Sequence, residues 1–278
     1  MNNNCSTGSS ALYQANNAVK YGQVECALAL GFERMKPGSL GTNFPDRPSP
    51  TILFYHRSKE LEEVLGKNHG PGAPRLFDNG AQEYFSQYGG GVEHLAKIGT
   101  DVNLNSSCVE ISYCQAASKN HKNSVANPYS QFREGWTVNE VLAAPKITKN
   151  LTKFMCSPTS VSSLIGSTSS VPLCLTRHSQ DGAACCIVVS EDFVHSHALE
   201  NQAIEIVAQA LTTDGVNTFE GQSAMDLVGY EMSKTCADKV FKEAGFAEGQ
   251  GRDEVGVVEL HDCFAANEVF YNPHTDLI

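Results

Sequence analysis

The stretch Met1-Asn2-Asn3-Asn4-Cys5-Ser6-Thr7-Gly8-Ser9-Ser10 places one cysteine among small and amide side chains. It is followed at once by apolar residues at helical spacing: Ala11, Leu12, Ala15, Ala18 and Val19. Small polar residues before such a run are typical of a helix start, so the pattern predicts a helix that begins just after Cys5. The unpaired N–H groups and the positive dipole end of a first helical turn favour a thiolate. Cys5 is therefore a candidate nucleophile; the alternative is a small apolar residue near a chain end.

Beyond this stretch, strand-like and helix-like patterns alternate along the chain. Strands are predicted at Glu25–Gly31, Asp181–Ser190, Ala203–Leu211 and Glu254–Leu260. Helices are predicted at Arg57–Lys67, Arg75–Gln87, Val92–Ile98 and Met225–Ala244. The second and third strands are continuous apolar runs and are expected to be buried. Alternation of this kind indicates an α/β protein with crossover helices, in which sites lie at the carboxyl ends of strands.

Charge and composition exclude several classes of function. The 278 residues carry a net charge of −11, which disfavours nucleic acid as a partner and requires a local basic pocket for any phosphate-bearing ligand. Ten cysteines at irregular spacings indicate free thiols rather than a disulfide framework. His195-x-His197 and Cys185-Cys186 are weak metal-ligand patterns, so no metal site is expected. The sequence has no apolar run long enough for a transmembrane segment.

Five separated motifs, in one order, resemble the thiolase domain of the sterol carrier protein X family. They begin with the Cys5 stretch and continue with Glu25-Cys-Ala-Leu-Ala-Leu-Gly-Phe-Glu-Arg-Met35, Lys36-Pro-Gly-Ser-Leu-Gly41, Asn127-Pro-Tyr-Ser-Gln-Phe132 and Val258-Glu-Leu-His-Asp-Cys-Phe264. The last motif is the most specific, because most other thiolases resemble Asn-Glu-Ala-Phe at its His-Asp-Cys-Phe tetrad.

The resemblance implies acyl transfer with coenzyme A thioesters as substrates and no permanently bound cofactor. It puts Cys5 in the position of the nucleophile and His261 in the oxyanion hole, with Asp262 and Cys263 as weaker site candidates. Family members cleave 3-oxoacyl-coenzyme A by thiolysis, releasing acetyl- or propanoyl-coenzyme A, in peroxisomal fatty-acid and sterol side-chain oxidation and lipid transport. The resemblance also implies a homodimer. The ending Asp276-Leu277-Ile278 is not a peroxisomal tripeptide, so the isolated chain is expected in the cytosol.

The sequence also departs from the family, and the expected fold is an incomplete thiolase-like α/β fold. Partial mixed sheets of three or four strands, flanking helices and a loop subdomain are expected. Residues 1–31 and 181–200 would form a partial amino-terminal thiolase domain, residues 32–160 the loop subdomain, and residues 201–278 the start of a carboxyl-terminal domain. Segments 100–118 and 161–180 read as insertions, expected to be poorly packed loops, and the second has the boundary residues of a retained intron.

The resemblance places the nucleophile four residues after Met1, and the sequence contains neither a Gly-His-Pro motif nor a final Cys-x-Gly motif. The chain is therefore expected to be inactive alone. Three hypotheses remain open at this point. They are a thiolase-type acyltransferase, a non-enzymatic fragment or splice product, and another cysteine acyl-enzyme such as a ketoacyl synthase. The third leaves His-Asp-Cys-Phe unexplained.

Overall fold

The structure is a computed structural model, which describes residues 3–33, 46–48, 52–88, 108–130, 132–157 and 182–270. The chain divides into two compact units. The first consists of Met1–Lys36, Ser179–Thr213 and Thr235–Asp253, and the second of Pro37–His178, Asp214–Lys234 and Glu254–Ile278. The assignment of segments to thiolase domains stays a prediction.

The helices and strands of the described residues follow in chain order. They are α1 (Thr7–Lys20), β1 (Cys26–Glu33), α2 (Ile52–Leu65), α3 (Gly72–Tyr88), α4 (Cys108–Ala126), α5 (Val138–Ala143), β2 (Gly182–Val189), α6 (Glu191–Ser196), α7 (Asn217–Glu220), α8 (Ala224–Leu227), α9 (Tyr230–Glu243) and α10 (Ala265–Phe270). Single 3-10 turns lie at Lys153–Met155 and Arg252–Glu254.

In the first unit, α1 covers one face of a two-stranded antiparallel sheet. Strand β1 pairs with β2 so that Cys26 lies opposite Val189 and Glu33 lies opposite Gly182. Ala15 of α1 packs with Ala29 and Val188, one from each strand, and these three residues are buried. Small side chains at this contact let the helix lie close to the sheet.

The predicted strands at Glu25–Gly31 and Asp181–Ser190 are confirmed as β1 and β2, but the burial expected for β2 is wrong. Most of β2 is exposed because α1 covers a single face of the sheet in the described residues. The strands predicted at Ala203–Leu211 and Glu254–Leu260 are also wrong, since both segments are irregular. They are largely exposed, with Ile204 89% and Val257 81% accessible, so their apolar side chains contribute little to a core. A mixed sheet of three or four strands is therefore not found in the described residues, which form one antiparallel pair.

In the second unit, helices α3, α4, α5, α8 and α10 surround one apolar core. Its buried members are Ala81, Tyr84, Ala116, Ala117, Val141, Leu151, Met155, Met225, Phe264, Ala265 and Ala266. Phe264 contacts Phe77 of α3, with ring centroids 5.1 Å apart. The fold thus combines helices with a small sheet, and the thiolase-like detail of the fold stays a prediction.

A buried carboxylate fixes the loop that leads into this core. Asp78 of α3 is fully buried and accepts hydrogen bonds from the side chains of Asn68, Thr148 and Asn150 at 2.7–2.9 Å. The backbone N–H of Asn150 donates to it as well, at 3.2 Å. Neutral donors therefore satisfy the buried carboxyl group and tie residues 148–150 to α3.

The helix predictions at Arg57–Lys67 and Arg75–Gln87 are confirmed by α2 and α3. The prediction for Met225–Ala244 holds in two pieces, because Gly229 adopts a φ of +95° between α8 and α9. The poorly packed loop expected at 100–118 is wrong for its second half, where α4 begins at Cys108 and buries Gln115, Ala116 and Ala117. The predicted helix Val92–Ile98, residues 100–107 and the segment 161–180 lie outside the described residues.

Candidate active site

Cys5 is an exposed free thiol immediately before the N-cap of α1. A tight turn carries it, in which Asn4 has a φ of +48° and Ser6 N–H donates to the Asn3 carbonyl at 3.0 Å. Asn3 closes the turn from both sides. Its N–H donates to Thr7 Oγ1 at 2.9 Å and its amide side chain donates to Ser10 Oγ at 3.0 Å. The predicted helix start is confirmed, and the turn presents the sulfur at the amino end of the helix.

Two glycines set the height of this turn above the sheet. A Cβ added at Gly31 of β1 would lie 2.8 Å from the Cα of Gly8 and 3.3 Å from its nitrogen. Real Cβ atoms do not approach backbone atoms so closely, so α1 can rest on β1 here because both residues lack a side chain. The nucleophile candidate is thereby fixed relative to the end of β1.

The other three predicted residues, His261, Asp262 and Cys263, lie in the second unit on one turn that leads into α10. Asn267 holds this turn, since its side-chain amide donates to the His261 carbonyl at 3.0 Å and contacts Cys263 Sγ at 3.7 Å. Phe264 anchors the turn in the core, and the Cys263 carbonyl accepts from Ser157 N–H at 2.9 Å. The His261 side chain is partly exposed, and burial of the remainder lowers its pKa, which favours a neutral ring.

Asp262 is a largely buried carboxyl group on this turn. Its Oδ2 accepts a hydrogen bond from the Asn120 amide of α4, while its Oδ1 is buried without a partner in the described residues. Burial, reinforced by the nearby Glu268 carboxylate, raises the pKa of Asp262 to about 7, although Lys119 and Asn120 oppose the shift. A carboxyl with its pKa raised in this way keeps its proton to a higher pH than an exposed aspartate does.

A second thiol lies close to the same turn. Cys156 pairs with Phe264 in an isolated antiparallel bridge, and its thiol donates to the Thr152 carbonyl at 3.4 Å. Burial, and then the neighbouring Cys263, raise the pKa of Cys156 well above its usual range. Cys156 is therefore a protonated, structural thiol and not a nucleophile.

Cys5 belongs to the first unit and the His261–Cys263 turn to the second. Among the described residues, none forms a hydrogen bond with the Cys5 thiol. The same part of the chain contains no group of three or more His, Cys, Asp or Glu side chains that could hold a metal ion. No helix within it is sufficiently long and apolar to cross a membrane.

Sequence reasoning missed the residues that support the turn. Asn267 and Glu268 follow it at helical spacing, so their proximity could have been found from the start of α10. Asn120 lies 142 residues away in sequence from Asp262, and nothing in the local pattern of Lys119-Asn120-His121 indicates the contact.

Comparison with known proteins identifies relatives that share nearly the whole sequence of this chain. Over 272 residues, 97% of this chain, the sequence is 40% identical to sterol carrier protein 2 of Rattus norvegicus. The chain is a relative of sterol carrier protein 2. This confirms the resemblance that the motifs carried. The chain spans 41% of the length of the rat relative.

More distant matches extend the sterol carrier protein 2 relationship to other proteins. Non-specific lipid-transfer protein-like 2 of Caenorhabditis elegans is 32% identical over 97% of this chain and 55% of its own length. Acetyl-CoA acetyltransferase of Methanocaldococcus jannaschii is 26% identical over 95% of this chain and 53% of its own length. A scan against family models gave no match. Nearly the whole chain is therefore shared with proteins that include an acyltransferase.

Proposed function

We propose that this chain carries thiolase-type acyl-transfer chemistry, with Cys5 as the acyl acceptor and 3-oxoacyl-coenzyme A as the substrate class. The observation that carries the proposal is that the segment shared with sterol carrier protein 2 is also shared, over 263 residues, with an acetyl-CoA acetyltransferase. The position of Cys5 supports it, because an exposed sulfur at the amino end of a helix is accessible to a thioester and lies at the positive end of the helix dipole.

In the proposed reaction the Cys5 thiolate attacks the 3-keto carbon of the substrate. The bond between C2 and C3 breaks, and its electron pair goes to C2, which takes up a proton to give acetyl- or propanoyl-coenzyme A. The remaining acyl group stays on Cys5 as a thioester. The thiolate of a second coenzyme A then attacks that thioester and restores Cys5.

His261 is proposed to stabilise the negative oxygen formed in each attack. Its lowered pKa favours the neutral ring, which can donate one hydrogen bond from a ring nitrogen. Each donor aimed at such an oxygen lowers the activation barrier by about 3–4 kcal/mol. Asp262 and Cys263 are proposed to support the turn that carries His261, and coenzyme A remains the expected substrate rather than a bound cofactor.

The isolated 278-residue chain is proposed to turn over slowly. General base and acid groups each contribute typically ~10²–10⁴-fold, and the Cys5 thiol has no hydrogen-bonded base among the described residues. A thiolysis assay with acetoacetyl-coenzyme A, run beside Cys5→Ala, tests this. We expect turnover below ~1 s⁻¹, the low end of typical enzymes. Faster turnover that depends on Cys5 would contradict the proposed slow turnover, but it would support Cys5 as the nucleophile.

Lipid transfer is a second candidate, because two of the relatives are named for carrying sterols or transferring lipids. Transfer of a fluorescent sterol between vesicles would test it, with Cys5→Ala as the discriminating variant. Transfer that is unaffected by Cys5→Ala, together with no acylation of Cys5, would favour this candidate or a non-enzymatic chain over acyl transfer.

A further inference from the structure

We propose that the Asp262 carboxyl carries a proton in neutral solution and that this proton helps to hold the His261–Cys263 turn against helix α4. The turn and its contacts to α4 and α10 are called the Asp262 latch. The proposal concerns the second unit alone and does not depend on the acyl transfer proposed above.

In the Asp262 latch, the side-chain amide of Asn120 lies between the carboxyl groups of Asp262 and Glu268. Asn120 of α4 donates from its side-chain nitrogen both to Asp262 Oδ2 and, at 3.2 Å, to Glu268 Oε2 of α10. An amide nitrogen carries two hydrogens, so Asn120 can serve both acceptors at once. The two carboxyl groups must therefore lie close to each other on either side of one nitrogen.

The charges around the latch do not balance when both acids are ionised. The charged groups that act on Asp262 are Glu268 of α10 and Lys119 of α4. Lys119 forms an ion pair with Glu268 Oε1, so its charge is already directed to the other acid. Two negative charges would then face one positive charge in a partly buried place, and like charges at short range repel strongly.

The unpartnered oxygen of Asp262 adds to the cost of ionising this carboxyl. Oδ1 is buried and accepts no hydrogen bond from a described residue. A buried charged carboxylate with an oxygen that has no donor is costly, and protonation of the Asp262 carboxyl removes both the charge and the repulsion from Glu268. Losing the proton should therefore loosen the contact between the turn and α4.

Carboxyl NMR on the full chain, labelled with ¹³C in its aspartate side chains, tests the latch directly. We expect one aspartate signal to titrate with a midpoint near pH 7, and this signal should be absent from Asp262→Asn. Glu268→Gln should move the same midpoint to lower pH because it removes the repelling charge. The exposed Asp214, in the same unit, supplies the control variant Asp214→Asn, which should leave the signal in place.

Unfolding by urea provides the second readout. Relative to Asp262→Asn, the unfolding equilibrium constant of the wild type should rise with pH between about 5 and 7, by at most ~10-fold per pH unit for one proton. The inference is overturned if every aspartate titrates below pH 5, if the neutral signal survives in Asp262→Asn, or if both proteins show the same pH dependence.

Discussion

Gly31 shows how one residue without a side chain determines the position of the candidate nucleophile. It lets the first turn of α1 lie directly on β1, because its missing Cβ would fall 2.8 Å from the Cα of Gly8. The sequence pattern predicted the helix from apolar residues at helical spacing and the strand from a short apolar run. It did not predict their contact, because two isolated glycines have no periodicity that indicates which backbones approach each other.

Replacing Gly31 by Ala should destabilise the first unit. The added methyl group must push α1 away from β1, and overpacking of this kind costs about 1–3 kcal/mol. Gly182, at the start of β2, has open space around an added Cβ, so Gly182→Ala should change stability by less than about 0.5 kcal/mol. Urea denaturation of both variants checks this, and equal losses would argue against the close contact.

His121 of α4 should make the second unit less stable in acid. Burial lowers its pKa, and its contact with the Phe154 carbonyl, 3.0 Å from Nε2, opposes part of that shift. The unfolded chain therefore binds the proton at higher pH than the folded chain, so stability present above pH ~6.5 is lost as pH falls through the folded pKa.

Urea denaturation at pH 5.5 and 7.5 measures this dependence. His121→Gln should weaken it, and His56→Gln, at an exposed position in the same unit, should not. The expected sign is opposite to that of Asp262, so the two groups can be separated by their variants. A pH dependence that is the same in wild type and His121→Gln would contradict the account of His121.

Helix α4 is the element that the sequence predicted least well. Its amino-terminal half was expected to be an inserted, poorly packed loop, because the segment has no counterpart in the family motifs. Tertiary packing overrides that expectation, since Ala116 and Ala117 are buried in the same core as Phe264. The strands predicted at Ala203–Leu211 and Glu254–Leu260 failed for the converse reason, because a short apolar run does not indicate whether a strand partner exists.

A charge placed in the buried face of α4 should unfold the second unit. Ala116 is 1% exposed, so Ala116→Asp would bury a carboxylate without a partner at a cost of about 3–5 kcal/mol. Val125, on the same helix, is 43% exposed, and Val125→Asp should cost less than about 1 kcal/mol. Thermal unfolding of the two variants tests the packing of α4; similar melting temperatures would support the loop that the sequence predicted.

Across the chain, the candidate residues fall in two compact units, Cys5 in the first and the His261–Cys263 turn in the second. The motifs identified Cys5, His261, Asp262 and Cys263, and the structure places the last three on one turn. The sequence did not predict the hydrogen bond from Asn120 to the turn. The two residues are 142 positions apart, and their contact depends on the packing of α4 and α10. The same limit applies to the position of Cys5, which rests on the contact between two glycines.

Acylation of Cys5 can be measured directly by peptide-mapped mass spectrometry. The full chain is incubated with acetoacetyl-coenzyme A, quenched in acid and digested. Cys26, Cys185 and Cys186 are free and exposed in the same unit, so they serve as internal controls, with Cys185→Ala as the matched variant for Cys5→Ala. We expect an acetyl thioester on the peptide that contains Cys5, retained in Cys185→Ala and lost in Cys5→Ala. Equal labelling of all the exposed cysteines, or an unlabelled Cys5, would contradict it.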